Sequence, residues 1–188
     1  MPFDFDKIAA DYDRWYEKEP GISCDRLQKS AVKKYLDMMN GKTILEIGSG
    51  TGHWTKFLSE NGFFVLGIDI SEKMIAVARS RQIPYATFVH CDAASLPYNN
   101  ESISNIAMFA TLEFIENQGI ALREIYRVLS PGGTLLIGTV NPAGSLARGR
   151  KSNELFENGK YYSADSLQSI LELFGDPEIE GCALLPKA

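Results

Sequence analysis

The sequence predicts an α/β domain with a doubly wound, mostly parallel sheet and helices on both faces. Two observations lead there. Five short runs, at 43–47, 64–69, 86–90, 103–109 and 134–140, are almost continuously apolar, as strands covered on both faces are. Between them lie stretches with apolar residues at helical spacing, and strand–helix alternation implies parallel strands joined by right-handed crossovers. The 188 residues form a single domain over 1–188, with N-terminal helices in 1–40 and a variable connection at 141–162.

The helices follow in order. Val32, Tyr35, Leu36 and Met39 mark one face of a helix that Ser23 is placed to cap. Met74, Val77 and Ala78 mark a second after Ser71, and Ala121, Ile125, Val128 and Leu129 a third, ended by Pro131, Gly132 and Gly133. Leu167, Ile170, Leu171 and Phe174 mark a last helix after Ser163, stopped at Gly175. A sixth strand is expected at 178–185.

Composition narrows the function. The net charge of −5 argues against a phosphate-gripping nucleic-acid binder. The acidic N-terminus lacks the layout of a signal peptide, and no apolar run approaches the length of a membrane span. Cys24, Cys91 and Cys182 are odd in number and scattered, and with only His53 and His90 beside them no zinc spacing exists. The expectation is a cytoplasmic protein with reduced thiols, no metal and no membrane or nucleic-acid partner.

The chemistry gathers at the carboxyl ends of the strands, where doubly wound sheets bind ligands. Gly48, Gly50 and Gly52 follow the first strand and let the backbone turn tightly against a ligand. A dinucleotide fingerprint needs its third glycine where His53 stands, and a P-loop needs a Gly-Lys-Ser/Thr that is absent. Glu46, just before the loop, would repel a pyrophosphate and suits a cationic ligand, unless it only caps the loop. Asp69 ends the second strand, about 20 residues beyond the glycines, where a carboxylate accepts from both ribose hydroxyls. A charge at the start of the next helix is the other reading. Ile70 and Met74 suit a flat apolar ligand, although core packing explains Met74 equally. Asp92 ends the third strand, beside Ala93; simple surface exposure is its alternative.

Taken together, the chain resembles the class I S-adenosylmethionine-dependent methyltransferases of the small-molecule type. The resemblance rests on 44–54 (Ile-Leu-Glu-Ile-Gly-Ser-Gly-Thr-Gly-His-Trp), 65–71 (Val-Leu-Gly-Ile-Asp-Ile-Ser), 91–97 (Cys-Asp-Ala-Ala-Ser-Leu-Pro) and 123–133 (Arg-Glu-Ile-Tyr-Arg-Val-Leu-Ser-Pro-Gly-Gly). The stretch 5–16 is similar to the N-terminal lid of that class. The resemblance implies that Glu46, Gly48, Ser49, Gly50 and Gly52 hold the methionine end of S-adenosylmethionine, which carries an ammonium and a sulfonium but no phosphate. It implies Asp69 for the ribose and Asp92 with Ala93 for the adenine, on whose face Ile70 and Met74 are suited to pack; Phe109 is a further cofactor-binding candidate. The Asn/Asp-Pro-Pro-aromatic motif of amide and exocyclic-nitrogen methylation is absent from 109–115 (Phe-Ala-Thr-Leu-Glu-Phe-Ile).

The expected activity is in-line methyl transfer to a small molecule, with a non-catalytic binder of the cofactor or its demethylated product as the alternative. No catalytic residue is assigned. His53, His90 and Glu113 are the titratable candidates near strand ends, and Tyr12, Trp15 and Tyr16 are the aromatic groups able to cover an acceptor. Arg148, Arg150 and Lys151 form a cationic cluster in the 141–162 connection. The family sheet ordinarily has seven strands, and here the chain stops before a seventh, leaving the final antiparallel strand missing.

Overall fold

The chain, in a computed structural model, is described over residues 3–144, 157 and 159–181. Five strands form one parallel sheet: β1 (Thr43–Ile47), β2 (Phe64–Asp69), β3 (Ala86–His90), β4 (Ile103–Phe109) and β5 (Leu129–Gly138). Their order is β3-β2-β1-β4-β5, so the switch in direction falls between β1 and β4. The helices are α1 (Gly21–Leu36), α2 (His53–Glu60), α3 (Glu72–Ser80), α4 (Gln118–Val128) and α5 (Ala164–Leu171).

Alternation along the central strands feeds two layers. Leu45, Ile47, Ile106 and Met108 pack with Leu122 and Ile125 of α4 and with Leu167 and Leu171 of α5. Ile44, Val65, Ala107 and Phe109 pack on the other face with Val32 and Leu36 of α1 and Trp54 and Leu58 of α2. Burial on both sides accounts for the largely apolar runs of β1 and β4, which Glu46 and the Ser104–Asn105 pair interrupt. At the edge only Phe88 of β3 is buried.

Four strands occupy the predicted residues. The fifth begins earlier, at Leu129, because Leu129 pairs with Ile103 before the ladder resumes at Asn105 and Thr134. Gly132, at φ 71°, lies within that irregularity. The strand also stops short of Val140, whose N–H is taken by the Glu113 carboxylate at 2.7 Å. Leu129 thus leaves the third predicted helix, which ends at Val128.

Ser23 does not cap α1. The helix starts at Gly21, and the Ser23 hydroxyl, inside the first turn, donates to Glu19 at 2.9 Å. Ser71 and Ser163 do cap α3 and α5, accepting from the N–H groups of Met74 and Ser166. Residues 178–181 form no strand; Glu180 instead binds Lys34 and Tyr35 of α1. The rest of the predicted sixth strand, the Arg148, Arg150 and Lys151 cluster and Cys182 lie outside the described residues. Among the described residues no helix is long and apolar enough to cross a membrane.

Candidate cofactor and acceptor site

The loop after β1 needs its glycines for conformation: Gly48, Gly50 and Gly52 have φ of 73°, 53° and 85°, a region side chains strongly disfavour. The N–H groups of Gly48 and Ser49 donate to the Ile68 carbonyl at 2.8 and 2.9 Å, fastening the loop to the end of β2. Thr111, just beyond β4, closes in from the other side. A Cβ on Gly48 would stand 2.2 Å from its side chain. A Cβ on Gly50 would meet nothing within 4 Å, so the open side of the loop is here.

Asp69 joins the glycine loop to the start of α3. One carboxylate oxygen accepts the Gly50 N–H at 2.8 Å, and the other accepts the N–H of Ser71, the N-cap of α3, also at 2.8 Å. Burial raises its pKa, opposed by these backbone N–H groups. The Ile70 N–H also supports its charge, and since a carboxylate has about four acceptor positions, capacity for a further donor is left.

Glu46 is 1% exposed, and its protein partner is the Thr55 hydroxyl at 2.5 Å, not the loop N–H groups expected of a capping carboxylate. Burial pushes its pKa up to about 8; Thr55 opposes the shift and the Asp69 charge adds to it. The Ser49 hydroxyl is buried and has no partner among the described residues.

The remaining predicted residues divide. Ile70 is 64% exposed beside Asp69, with its carbonyl accepting from the His90 ring at 2.9 Å. Asp92 is exposed and accepts the Ala94 N–H at 2.8 Å, while Ala93 packs on the core. Met74 and Phe109 are not brought to the open side. Met74 is 1% exposed, and Phe109 is stacked on Trp54 at 4.0 Å, because its place in the β4 alternation faces α1 and α2.

Residues 3–17 lie across the carboxyl ends. Asp6 accepts from the Ser71 hydroxyl at 2.5 Å and the Lys73 N–H at 3.2 Å, and these bonds hold its carboxyl below the usual range. Asp13 accepts from the Thr51 hydroxyl at 2.8 Å and pairs with Arg81. Tyr16 stacks on His53 with centroids 3.6 Å apart. Ring contacts run from Phe114 through Phe5 and Tyr12 to Tyr16 and Trp15. None of these five belongs to the buried clusters; all are half-buried.

Glu113 is 1% exposed. Its Oε1 accepts from the Thr139 hydroxyl and the Val140 N–H, both at 2.7 Å, and its carbonyl accepts from the Lys160 N–H at 2.8 Å. Its Oε2 is buried without a partner among the described residues. Burial raises its pKa, against the hydrogen bond from Thr139. Sequence reasoning missed Asp6, Asp13, Thr55 and Arg81. The Asp6–Ser71 and Arg81–Asp13 contacts join residues 65 and 68 positions apart, with no local pattern to announce them.

The site is a glycine loop flanked by two carboxyl groups, the buried Glu46 and the half-buried Asp69, at the carboxyl ends of parallel strands. A family profile described as a methyltransferase domain matches residues 45–137. A demethylmenaquinone methyltransferase of Clavibacter sepedonicus is 31% identical over 71% of this chain and 55% of its own length. This chain therefore spans about half of that relative. An uncharacterized protein of Methanocaldococcus jannaschii is 27% identical over 94% of this chain and 82% of its own. The crystal structure of a Thermotoga maritima methyltransferase, described as a possible histamine N-methyltransferase, superposes with a TM-score of 0.73. It is 27% identical, covering 93% of this chain and 80% of that one. The chain belongs to the S-adenosylmethionine-dependent methyltransferases of the Rossmann-like class, whose cofactor is S-adenosylmethionine.

Proposed function

We propose that this chain methylates a small molecule with a flat, apolar face, held under residues 3–17 against the carboxyl ends of β1 and β4. The observation that carries the reading is Asp69 bound to the Gly50 N–H of the loop, with Glu46 buried close enough for the two carboxyl groups to interact. The Ser49 hydroxyl, unpaired among the described residues, and the spare acceptor capacity of Asp69 fit S-adenosylmethionine. Glu46 and the 48–52 loop would hold its amino-acid end and Asp69 its ribose. Ile70, Asp92 and Ala93 would hold its adenine, with Met74 and Phe109 supporting from the core.

When bound, S-adenosylmethionine supplies a methyl group already activated by the sulfonium, so positioning and exclusion of water are the protein's main tasks. Phe5, Tyr12, Tyr16 and Phe114 supply the apolar wall for both. Glu113 fixes the segments after β4 and β5 on the acceptor side. No covalent protein nucleophile is required. The Cys91 thiol fits a reducing, cytoplasmic setting, and the acidic net charge fits a small molecule better than nucleic acid.

Calorimetry with S-adenosylmethionine, S-adenosylhomocysteine and NAD tests the site: heat with the first two and none with NAD is expected. Absence of heat with the first two, for folded protein, overturns the reading. Transfer of labelled methyl to a panel of aromatic, aliphatic and anionic metabolites then tests the acceptor class. Saturable binding without transfer to any of them would favour the non-catalytic alternative.

A further inference from the structure

Tyr16 and His53 lie face to face, with centroids 3.6 Å apart and planes within 5°. Neutral aromatic pairs prefer offset or edge-on arrangements to a direct sandwich. A positively charged ring, in contrast, is attracted to the electron-rich face of a phenol. The far side of the imidazole presents an equally specific arrangement. His53 Nε2 is 2.7 Å from Asp25 Oδ1 and 3.0 Å from Lys29 Nζ, and Lys29 also donates to Asp25 Oδ2 at 2.8 Å.

One ring nitrogen therefore faces an acceptor and a donor. With a proton, Nε2 donates to Asp25; without one, it accepts from the Lys29 ammonium; it cannot do both. Asp25 and Lys29 of α1, Lys56 of α2 and Tyr16 are the charged or titratable groups around it. Burial lowers the imidazole's pKa, Lys29 and Lys56 add to this, and Asp25 works against it.

We propose that His53 is a positioning residue for the 3–17 segment, holding Tyr16 more firmly when both ring nitrogens carry protons and the imidazole is charged. His53 directly follows the glycine loop, so the ring that carries Tyr16 is joined to the backbone that would hold the cofactor. Asp6 and Asp13 fasten the same segment at two further points. Those are carboxylate contacts, whereas histidine is the side chain whose charge ordinarily changes between pH 5 and 8. The effect on turnover rests on the proposed function; the hold on Tyr16 does not, and the first measurement uses no ligand.

That measurement is amide hydrogen exchange of residues 12–17 in the full chain at pH 5.5 and 7.5, corrected for the intrinsic pH dependence of exchange. The wild type should exchange roughly threefold more slowly at pH 5.5. His53→Phe keeps a flat ring and loses the proton, so its corrected rates should match at the two pH values. His53→Ala should exchange faster than wild type at both, with β1 and β4 amides in the same sample reporting that the sheet is intact. A wild type without pH dependence, an equal dependence in His53→Phe, or wild-type rates in His53→Ala with an intact sheet would each overturn the proposal. A second measurement compares KM for S-adenosylmethionine over the same pH range. His53→Phe should remove the His53 contribution to the KM profile while kcat stays near the wild-type value. If the exchange results hold and the ligand does not bind, the anchor stands and the reading of the site fails.

Discussion

Glu46 is a buried carboxyl whose one protein donor is a hydroxyl, and burial sets its pKa near 8. In the ligand-free protein it is therefore mostly protonated at neutral pH, whereas an ammonium group needs the carboxylate. Binding must displace the proton, so affinity for S-adenosylmethionine should rise with pH up to about 8 and level off above, by up to about tenfold per pH unit on the rising limb. Calorimetry between pH 6 and 9 measures this directly, and a flat profile would remove Glu46 from the binding set. Glu46→Gln should abolish the slope and weaken binding by roughly 1.5–3 kcal/mol, the worth of a hydrogen bond to a charged group. Asp69 differs because the backbone N–H groups of Gly50, Ile70 and Ser71 already support its charge. Asp69→Ala should cost roughly 1–3 kcal/mol of cofactor affinity through lost ribose hydrogen bonds; unchanged affinity would end that assignment.

Between elements, the contact of α1 with residues 3–17 is made at a glycine. A Cβ on Gly21 would stand 1.8 Å from the Trp15 carbonyl oxygen, so a side chain there must push the backbone of the segment away. Gly21→Ala should leave the sheet in place and loosen 12–17, costing about 1–3 kcal/mol, the scale of overpacking. Denaturant unfolding reads the stability, and proteolysis near Trp15 should speed up; an unaltered cleavage rate would contradict the argument. Sequence reasoning reached the elements unevenly for the same kind of reason. The bounds of β1, β2 and β4 were legible because burial on both faces imposes a local apolar run, whereas edge strand β3 was legible from its β-branched and aromatic residues although only Phe88 is buried. The start of β5 was not, since Leu129 joins the sheet by pairing with Ile103 rather than through its own pattern. Ser23 looked like a cap because the serine is visible and the approach of Trp15 to Gly21 is not. The glycine loop, Glu46 and Asp69 were legible as a contiguous motif and a strand end, whereas Asp6 and Asp13 act only across the fold.

Across the whole molecule, Glu113 joins parts of the acceptor side that are distant in sequence. Its carboxyl takes donors from the end of β5, and its carbonyl takes the Lys160 N–H ahead of α5. Burial raises its pKa in the folded protein above the ordinary carboxylate value. The sign follows from linkage: the stability this acid contributes is fully present below the unfolded-state pKa, near 4.3, and is lost as pH rises through the folded value. Glu113→Gln keeps an oxygen for Thr139 and Val140 but cannot ionise. Its stability relative to wild type should therefore improve steadily as pH is raised from about 5 to 8. Glu113→Ala leaves both donors without their acceptor and opens a cavity, which should cost roughly 1–3 kcal/mol relative to Glu113→Gln at every pH. Urea midpoints of the three proteins at pH 5, 6.5 and 8 separate these effects. A constant gap between Glu113→Gln and wild type would show that the carboxyl titrates alike in the folded and unfolded chains. Its buried place at the junction of β4, β5 and the segment before α5 would then carry no pH-dependent energy.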